Sequence, residues 1–257
     1  MGTALITGAS SGLGLEYAWQ LAAVRHNVVL VARREDRLEE VAEEIRQVAG
    51  VRVEVLARDL ANRAELDDVA ARLRIDVDPI GLLVNNAGFG LGQSFVGGDL
   101  AREEEALDVL VRAVLVLSHA AAPAMVARGH GAILNVSSVA SHTVMGTYAA
   151  HKTWVRTFTE ALASELRTTP VTVTVVMPGL VRTNFHEASG LDSSTWPDFG
   201  WLTAEDVVGS SLEAVRRGKV LCTPSLLYKA ATGLLRTAPR WAVRAATGPS
   251  LSARAIM

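Results

Sequence analysis

The sequence predicts an α/β chain organised as one doubly wound parallel sheet of about seven strands, with helices on both faces. Three observations lead there. Short apolar, β-branched runs alternate regularly with longer stretches of helical periodicity along the 257 residues. The short runs are continuously apolar rather than alternating, as strands are when helices cover both sheet faces. The first of them passes into Thr7-Gly8-Ala9-Ser10-Ser11-Gly12-Leu13-Gly14, which reads as a strand, a glycine turn and a helix start. Regular β-α alternation implies right-handed crossovers and a ligand crevice at the carboxyl ends of the strands.

The strands are expected at 3–7, 27–31, 51–57, 80–85, 132–136, 171–176 and 219–222. Helices are expected near 12–25, 35–48, 61–73, 102–128, 147–167 and 204–217, with an amphipathic helix over 225–237. No Pro/Gly/Ser-rich linker, repeat or composition break divides the chain. We therefore read residues 1–222 as the sheet domain and 223–257 as a C-terminal helical extension of it.

Composition narrows the class further. A hydrophobic fraction of 49% suffices for a sizeable core, and a formal net charge of -2 argues against nucleic acid as the main partner. The single cysteine, Cys222, excludes an intrachain disulfide and fits a reducing compartment. A strand starts almost at the first residue, leaving no room for a cleavable leader, and no uninterrupted apolar run reaches membrane-spanning length. These features give a cytoplasmic expectation. No metal site is assigned.

The glycine turn has a specific physics. Glycine tolerates positive φ and lets backbone approach a ligand closely, while the unpaired N–H groups of the first helical turn point at an anion. A pyrophosphate is the natural occupant. After the second strand come Arg33 and Arg34, where dinucleotide folds place an acidic residue for a ribose 2′-hydroxyl or an arginine for a 2′-phosphate. A guanidinium offers a forked, permanent charge suited to phosphate, which favours NADP over NAD. Solvation of a helix start by the two arginines is the structural alternative. Asp59 and Leu60 follow the third strand, and Asn85-Asn86-Ala87-Gly88 ends the fourth. Asp59 also fits an N-cap.

With these motifs on the page, the chain resembles the short-chain dehydrogenases/reductases, a family with a Rossmann-type fold. The resemblance runs in order through Thr-Gly-x3-Gly-x-Gly at 7–14, Asp59-Leu60, Asn85 to Gly88, Asn135-Val136-Ser137-Ser138, Tyr148-x3-Lys152 and Pro178-Gly179-Leu180-Val181-Arg182-Thr183. It covers about three quarters of the chain. The resemblance implies that Gly8, Ser10, Ser11, Gly12, Leu13 and Gly14 cradle the cofactor, and that Asn86, Ala87 and Gly88 wall its adenosine ribose. It further implies that Pro178 and Gly179, with Val181 and Thr183, hold the nicotinamide carboxamide.

Tyr148 and Lys152 are four apart at a helix start, so they share one face. A free tyrosine has a pKa of about 10, and a nearby ammonium lowers it towards the working range of a general base. Ser138 can donate to a carbonyl oxygen as that oxygen gains charge. A surface Tyr-Lys pair and a turn serine are the structural readings of the same residues. The resemblance implies that the serine orients the substrate oxygen, the tyrosine transfers the proton, and the lysine binds the nicotinamide ribose and acidifies the tyrosine. It implies interconversion of a ketone or aldehyde and an alcohol.

Three departures stand out. Leu110, in Asp108-Val109-Leu110-Val111-Arg112, replaces the asparagine that in many members holds a water for proton relay, and an aliphatic side chain cannot do so. A second water path, a slower enzyme, or a nucleotide-binding regulatory or scaffold protein with impaired chemistry all stay open. His151 replaces a small residue before the lysine, and the 138–148 segment is shorter than usual.

The apolar and aromatic residues Phe185, Trp196, Pro197, Phe199 and Trp201 form either an apolar lid over a hydrophobic small-molecule substrate or ordinary core and subunit contacts. Phe89, Phe95 and Trp154 are candidates for the opposite wall. In the tail, Arg236, Arg240, Arg244 and Arg254 with Trp241 and Leu251 fit a pocket or subunit cover better than a membrane surface. The helices at 102–128 and 147–167 match the pair that often joins subunits in relatives, so a dimer or tetramer is expected by analogy.

Overall fold

The computed structural model describes residues 2–183 and 200–248. A seven-stranded, wholly parallel sheet forms its centre. It is made of β1 (Thr3–Thr7), β2 (Asn27–Ala32), β3 (Val53–Ala57), β4 (Ile80–Asn85), β5 (Gly131–Val136), β6 (Val171–Val176) and β9 (Leu221–Cys222) in the order β3-β2-β1-β4-β5-β6-β9. The order reverses between β1 and β4, so a crevice opens there at the carboxyl ends. The fold class expected from the alternation is the one observed: a single-domain Rossmann-type α/β architecture.

Side-chain alternation along the strands builds two cores. On one face Ala4, Ile6, Val28 and Leu30 pack beneath helices α1 (Gly12–Ala23), α2 (Glu35–Ala49) and α7 (Ala204–Arg216). On the other, Leu5, Val29, Val31 and Leu83 pack beneath α3 (Arg63–Leu73) and α5 (Ala113–Arg128), with α6 (Gly146–Glu165) alongside. Period-two alternation explains how one continuously apolar strand serves both layers. Tyr17 of α1 is fully buried and its hydroxyl lies 2.6 Å from Ser211 Oγ of α7, which satisfies the one polar atom of a large core side chain.

Several boundaries differ from expectation. β3 starts at Val53 and β9 is only two residues long. The helix expected from residue 102 begins as α4 (Leu100–Leu107), capped by Asp99 Oδ1 accepting from Ala101 N at 3.0 Å, and widens into a π-turn at Asp108–Arg112 before α5. This continuous stretch, Leu100–Arg128, is long and apolar enough to cross a membrane, contrary to the expectation from the sequence. Half of its apolar window is buried within the fold, as in the core helix of a globular domain. A second small pairing, β7 (Leu180–Val181) with β8 (Trp201–Leu202), was not expected. Beyond β9, α8 (Leu226–Thr237) and α9 (Arg240–Thr247) pack over the short 3₁₀ turn Val139–His142 and the loop after it, where Val144 N donates to Thr247 Oγ1 at 3.2 Å.

A buried polar chain ties the central strands to α6. Asn85 Nδ2 donates to Asn135 Oδ1 at 2.8 Å, and Asn135 Nδ2 donates to Thr159 Oγ1 at 2.9 Å. Asn135 and Thr159 have no solvent exposure. Removing the middle member deletes both links and leaves Asn85 with Ser118 and Thr159 with Val155 O as remaining partners. Asn135→Ala is therefore expected to cost about 1–3 kcal/mol, read as a lower urea midpoint at unchanged slope.

Candidate active site

The crevice between β1 and β4 is assembled by backbone and side-chain clasps. Thr7 Oγ1 accepts from Asn86 N and from Ala87 N, both at 3.0 Å, and Asn86 Nδ2 donates to Thr7 O at 2.9 Å. The two strand ends are thereby locked side by side. Gly8 holds φ +68°, and a Cβ there would come 2.9 Å from Ala87 Cα, so residues 8 and 87 touch through backbone. A Cβ on Gly14 would be driven into the Gly8 carbonyl. The α1 N-terminus carries no side-chain cap and no acidic residue in its first turn, which leaves its N–H groups for an anion.

Around this turn lies a hollow of about 450 Å³ lined by Ser10, Ser11, Gly12, Arg34, Arg37 and Arg182. Thr183 closes it, its Cβ 3.5 Å from where a Gly12 Cβ would stand. Free helix N–H groups, a glycine cradle and three arginines fit a dinucleotide with its phosphates. Arg33 is turned elsewhere: its side chain is 64% exposed and pairs with Glu105 Oε1 at 3.2 Å. Asp59, at the end of β3, accepts from Ala61 N at 3.0 Å, and Leu60 is buried. The N-cap of α3 is Asn62 rather than Asp59.

Ser138, Tyr148 and Lys152 come together as expected. Ser138 ends the β5 segment as the N-cap of the turn Val139–His142, with its Oγ accepting from Ala140 N at 3.1 Å, and its side chain hydrogen-bonds the Tyr148 phenol. Lys152, one turn further along α6, is 5% exposed. Its Nζ sits 5.7 Å from the Tyr148 ring centroid and donates to Val136 O at 2.8 Å. Burial lowers the Lys152 pKa to about 8. The expected acidification of Tyr148 by this ammonium is not what governs the phenol here. Burial raises its pKa above the ordinary value, and the Ser138 hydrogen bond opposes that only in part. The ammonium lies over the ring and is held by the Val136 carbonyl.

Leu110 is 1% exposed and packs with Leu91 and Ala106, with Phe89 and Tyr148 against the same cluster. A Cβ on Gly88 would come 2.7 Å from Leu110 Cδ2 and 3.6 Å from Lys152 Nζ. An apolar plug thus packs against Tyr148 and Gly88. His151 has its pKa lowered, first by burial and then by Lys152, while Glu103 opposes the shift.

In the loop after β6, Pro178 O accepts from Val139 N at 3.0 Å, joining that loop to the Ser138 turn, and Val181 is buried. Tyr228 of α8 was missed by sequence reasoning. Its ring covers Gly179 so closely that any Cβ there would meet it; its hydroxyl accepts from Leu180 N at 3.1 Å and donates to Gly200 O at 2.8 Å. Nothing local could have signalled a contact made across 48 residues. Trp154 does not join the Phe89 wall; it stacks on Phe158 with centroids 4.8 Å apart, and Phe95 is 67% exposed. Of the aromatic lid expected over 184–202, Phe185, Trp196, Pro197 and Phe199 lie outside the described residues, as do Leu251 and Arg254 of the tail. Among the described residues no cluster of metal-ligating side chains occurs.

Comparison with known proteins follows the geometry. The family model for short chain dehydrogenase matches residues 2–193. An NADP-dependent 3-hydroxy acid dehydrogenase of Shigella flexneri is 32% identical over 213 residues, covering 79% of this chain and 84% of that protein. Among solved structures, a short-chain dehydrogenase from Sphingobium yanoikuyae in complex with NADPH superposes with a TM-score of 0.84 at 34% identity, covering 93% of this chain and 96% of the other. A bulky-bulky ketone specific alcohol dehydrogenase from Comamonas testosteroni gives 0.80 at 30% identity, with the same coverage. The ordered motifs, the crevice they build and these likenesses agree: the chain belongs to the short-chain dehydrogenase/reductase family of NAD(P)-dependent oxidoreductases.

Proposed function

We propose that this protein is an NADP(H)-dependent oxidoreductase that interconverts an apolar ketone or aldehyde and the corresponding alcohol. The observation that carries this reading is the Ser138 hydrogen bond to Tyr148 with Lys152 over the Tyr148 ring. A bound nicotinamide dinucleotide supplies the hydride to the carbonyl carbon. Tyr148 donates its phenolic proton to the carbonyl oxygen, and Ser138 donates a hydrogen bond to that oxygen as charge develops. Burial keeps the phenol protonated, which favours the reducing direction. Lys152, on the same face of α6, holds the ribose hydroxyls and is the group that supports the phenolate in the reverse direction.

NADP is preferred in this reading. Arg33 exchanges Glu105 for a 2′-phosphate, Arg34 and Arg37 stand beside it, and the Sphingobium relative was solved with NADPH. An apolar substrate is supported by Phe89, Leu91 and Leu110 beside Tyr148, and by the bulky-bulky ketone specificity of the Comamonas enzyme. The rival reading, a scaffold without chemistry, has no observation that favours it once Ser138, Tyr148 and Lys152 converge. We also propose a homo-oligomer joined through the helices at 100–128 and 147–167, where Leu107 and Leu115 are exposed, and a reducing cytoplasmic setting consistent with the buried Cys222 thiol. Imaging of a fluorescently tagged chain at the cell envelope would overturn that setting.

Turnover of NADPH with a panel of bulky aryl and alkyl ketones tests the chemistry. Tyr148→Phe should lose at least about 10²-fold in kcat, and equal rates for variant and wild type would remove the assignment. In the same assay Arg33→Ala with Arg34→Ala should reduce the preference for NADPH over NADH by about tenfold or more. The lysine gives a pH signature in the cofactor-free protein. Its folded pKa of about 8 lies below the unfolded value, so between these values the unfolded chain binds more protons and stability rises with pH, by up to ~1.4 kcal/mol per unit. Lys152→Met should flatten that slope in urea titrations between the two values. For the assembly, light scattering should give a multiple of the 27.3 kDa chain mass, and Leu115→Glu should lower it; a monomer throughout refutes the oligomer.

A further inference from the structure

A second cavity, of about 640 Å³, lies between α6, the turn Val139–His142 and the C-terminal helices α8 and α9. Neither Ser138, Tyr148 nor Lys152 lines it. Among the described residues its charged walls are Arg156, Lys229, Arg236 and Arg240 against the single carboxylate of Glu160. Among the described residues, no carboxylate lies within ion-pair distance of Lys229, Arg236 or Arg240. Arg156 is the inner wall. Its Nη1 donates to His142 Nδ1 at 2.7 Å, and its buried Nε, 3.8 Å from Glu160, has no hydrogen-bond partner. Ser141 Oγ, on a residue 3% exposed, also has none.

We propose that this cavity is a second binding site, distinct from the Ser138 centre, that takes the phosphate group of an organic ligand. Four cations facing one carboxylate leave a surplus that a phosphate dianion offsets better than a monocarboxylate. Arg156 and Ser141, whose Nε and Oγ are buried without hydrogen-bond partners, belong to the wall that the phosphate would meet. The volume exceeds that of an inorganic ion, leaving space for an organic body. His142 reports the positive field: its pKa falls to about 4, first through burial, then through Arg156 and Arg236. The ligand would rest on the same short turn that Ser138 caps, so its occupancy bears on the serine from behind.

The phosphate has two sources, a soluble phosphate ester or a lipid headgroup. The second is raised by Leu226, Leu234 and Trp241, at least 69% exposed on the helices beside the cavity. Following the His142 imidazole signal by NMR, assigned by its loss in His142→Gln, separates the possibilities without requiring enzyme activity. Inorganic phosphate, titrated against sodium chloride of equal ionic strength, should shift that signal saturably. Arg236→Gln with Arg240→Gln, both on exposed residues, should raise the midpoint at least about tenfold. Co-sedimentation with phosphatidylcholine vesicles that contain phosphatidic acid, but not with those that lack it, identifies the lipid source; a saturable shift without sedimentation identifies a soluble ester. The proposal is overturned if phosphate and chloride act alike on His142, or if the double variant binds phosphate as the wild type does.

Discussion

The hydroxyl of Thr7 is the interaction on which the rest of the site depends. It accepts from the backbone N–H groups of Asn86 and Ala87, and so joins the carboxyl ends of β1 and β4 where the strand order reverses. Two parallel strands diverge naturally beyond their last ladder bond, and a dinucleotide crevice needs that divergence at a set width. The threonine clasp holds it. With Asn86 Nδ2 returning to Thr7 O, the glycine turn rests on residue 87 by backbone contact alone, and larger side chains at residues 8 or 14 would push the two apart. Helix α1 then starts with its N–H groups directed into the crevice, where the aligned peptide dipoles favour an anion.

Next to this clasp the site is stiffened by polar groups placed inside apolar layers. Asn85, Asn135 and Thr159 are linked by hydrogen bonds across β4, β5 and α6, and Ser137 Oγ donates to Lys152 O at 2.7 Å. These bonds fix the rotation of α6 about its own axis. That rotation determines which of its residues face Ser138. Tyr148 and Lys152 do, whereas Trp154 turns away to stack on Phe158. The low dielectric around the pair moves both pKa values in the directions burial dictates, up for the phenol and down for the ammonium. Each group is thereby held closer to its neutral form.

Leu110 departs from the asparagine that the family resemblance implies at this position, and its surroundings give the departure a physical form. The π-turn at Asp108–Arg112 interrupts the long helix at this residue, and the side chain fills a dry cluster with Leu91, Ala106 and Tyr148. Gly88 accommodates the leucine because it has no Cβ. The exchange therefore replaces a polar position by packing, with the backbone of the fourth strand's end adjusted to match. On the other side, Tyr228 braces Gly179 and Leu180 from the C-terminal extension, so α8 belongs to the same working unit as the crevice.

Much of this was legible in residue order. Alternating apolar runs specified the parallel sheet, because a strand covered on both faces has no polar side to show, and the spacing of Gly8, Gly12 and Gly14 specified the turn, because only glycine fits there. The Tyr148–Lys152 spacing placed both on one helical face. Residue order did not decide the direction of the Tyr148 pKa, which depends on how much water the assembled site excludes, nor the partner of Arg33, which is Glu105 across 72 residues. Tyr228 on Gly179, the dry seat of Leu110 and the basic cavity behind Ser138 likewise arise only when distant segments meet. Local sequence determines backbone conformation and which face is apolar; burial, field and long-range contact belong to the tertiary structure.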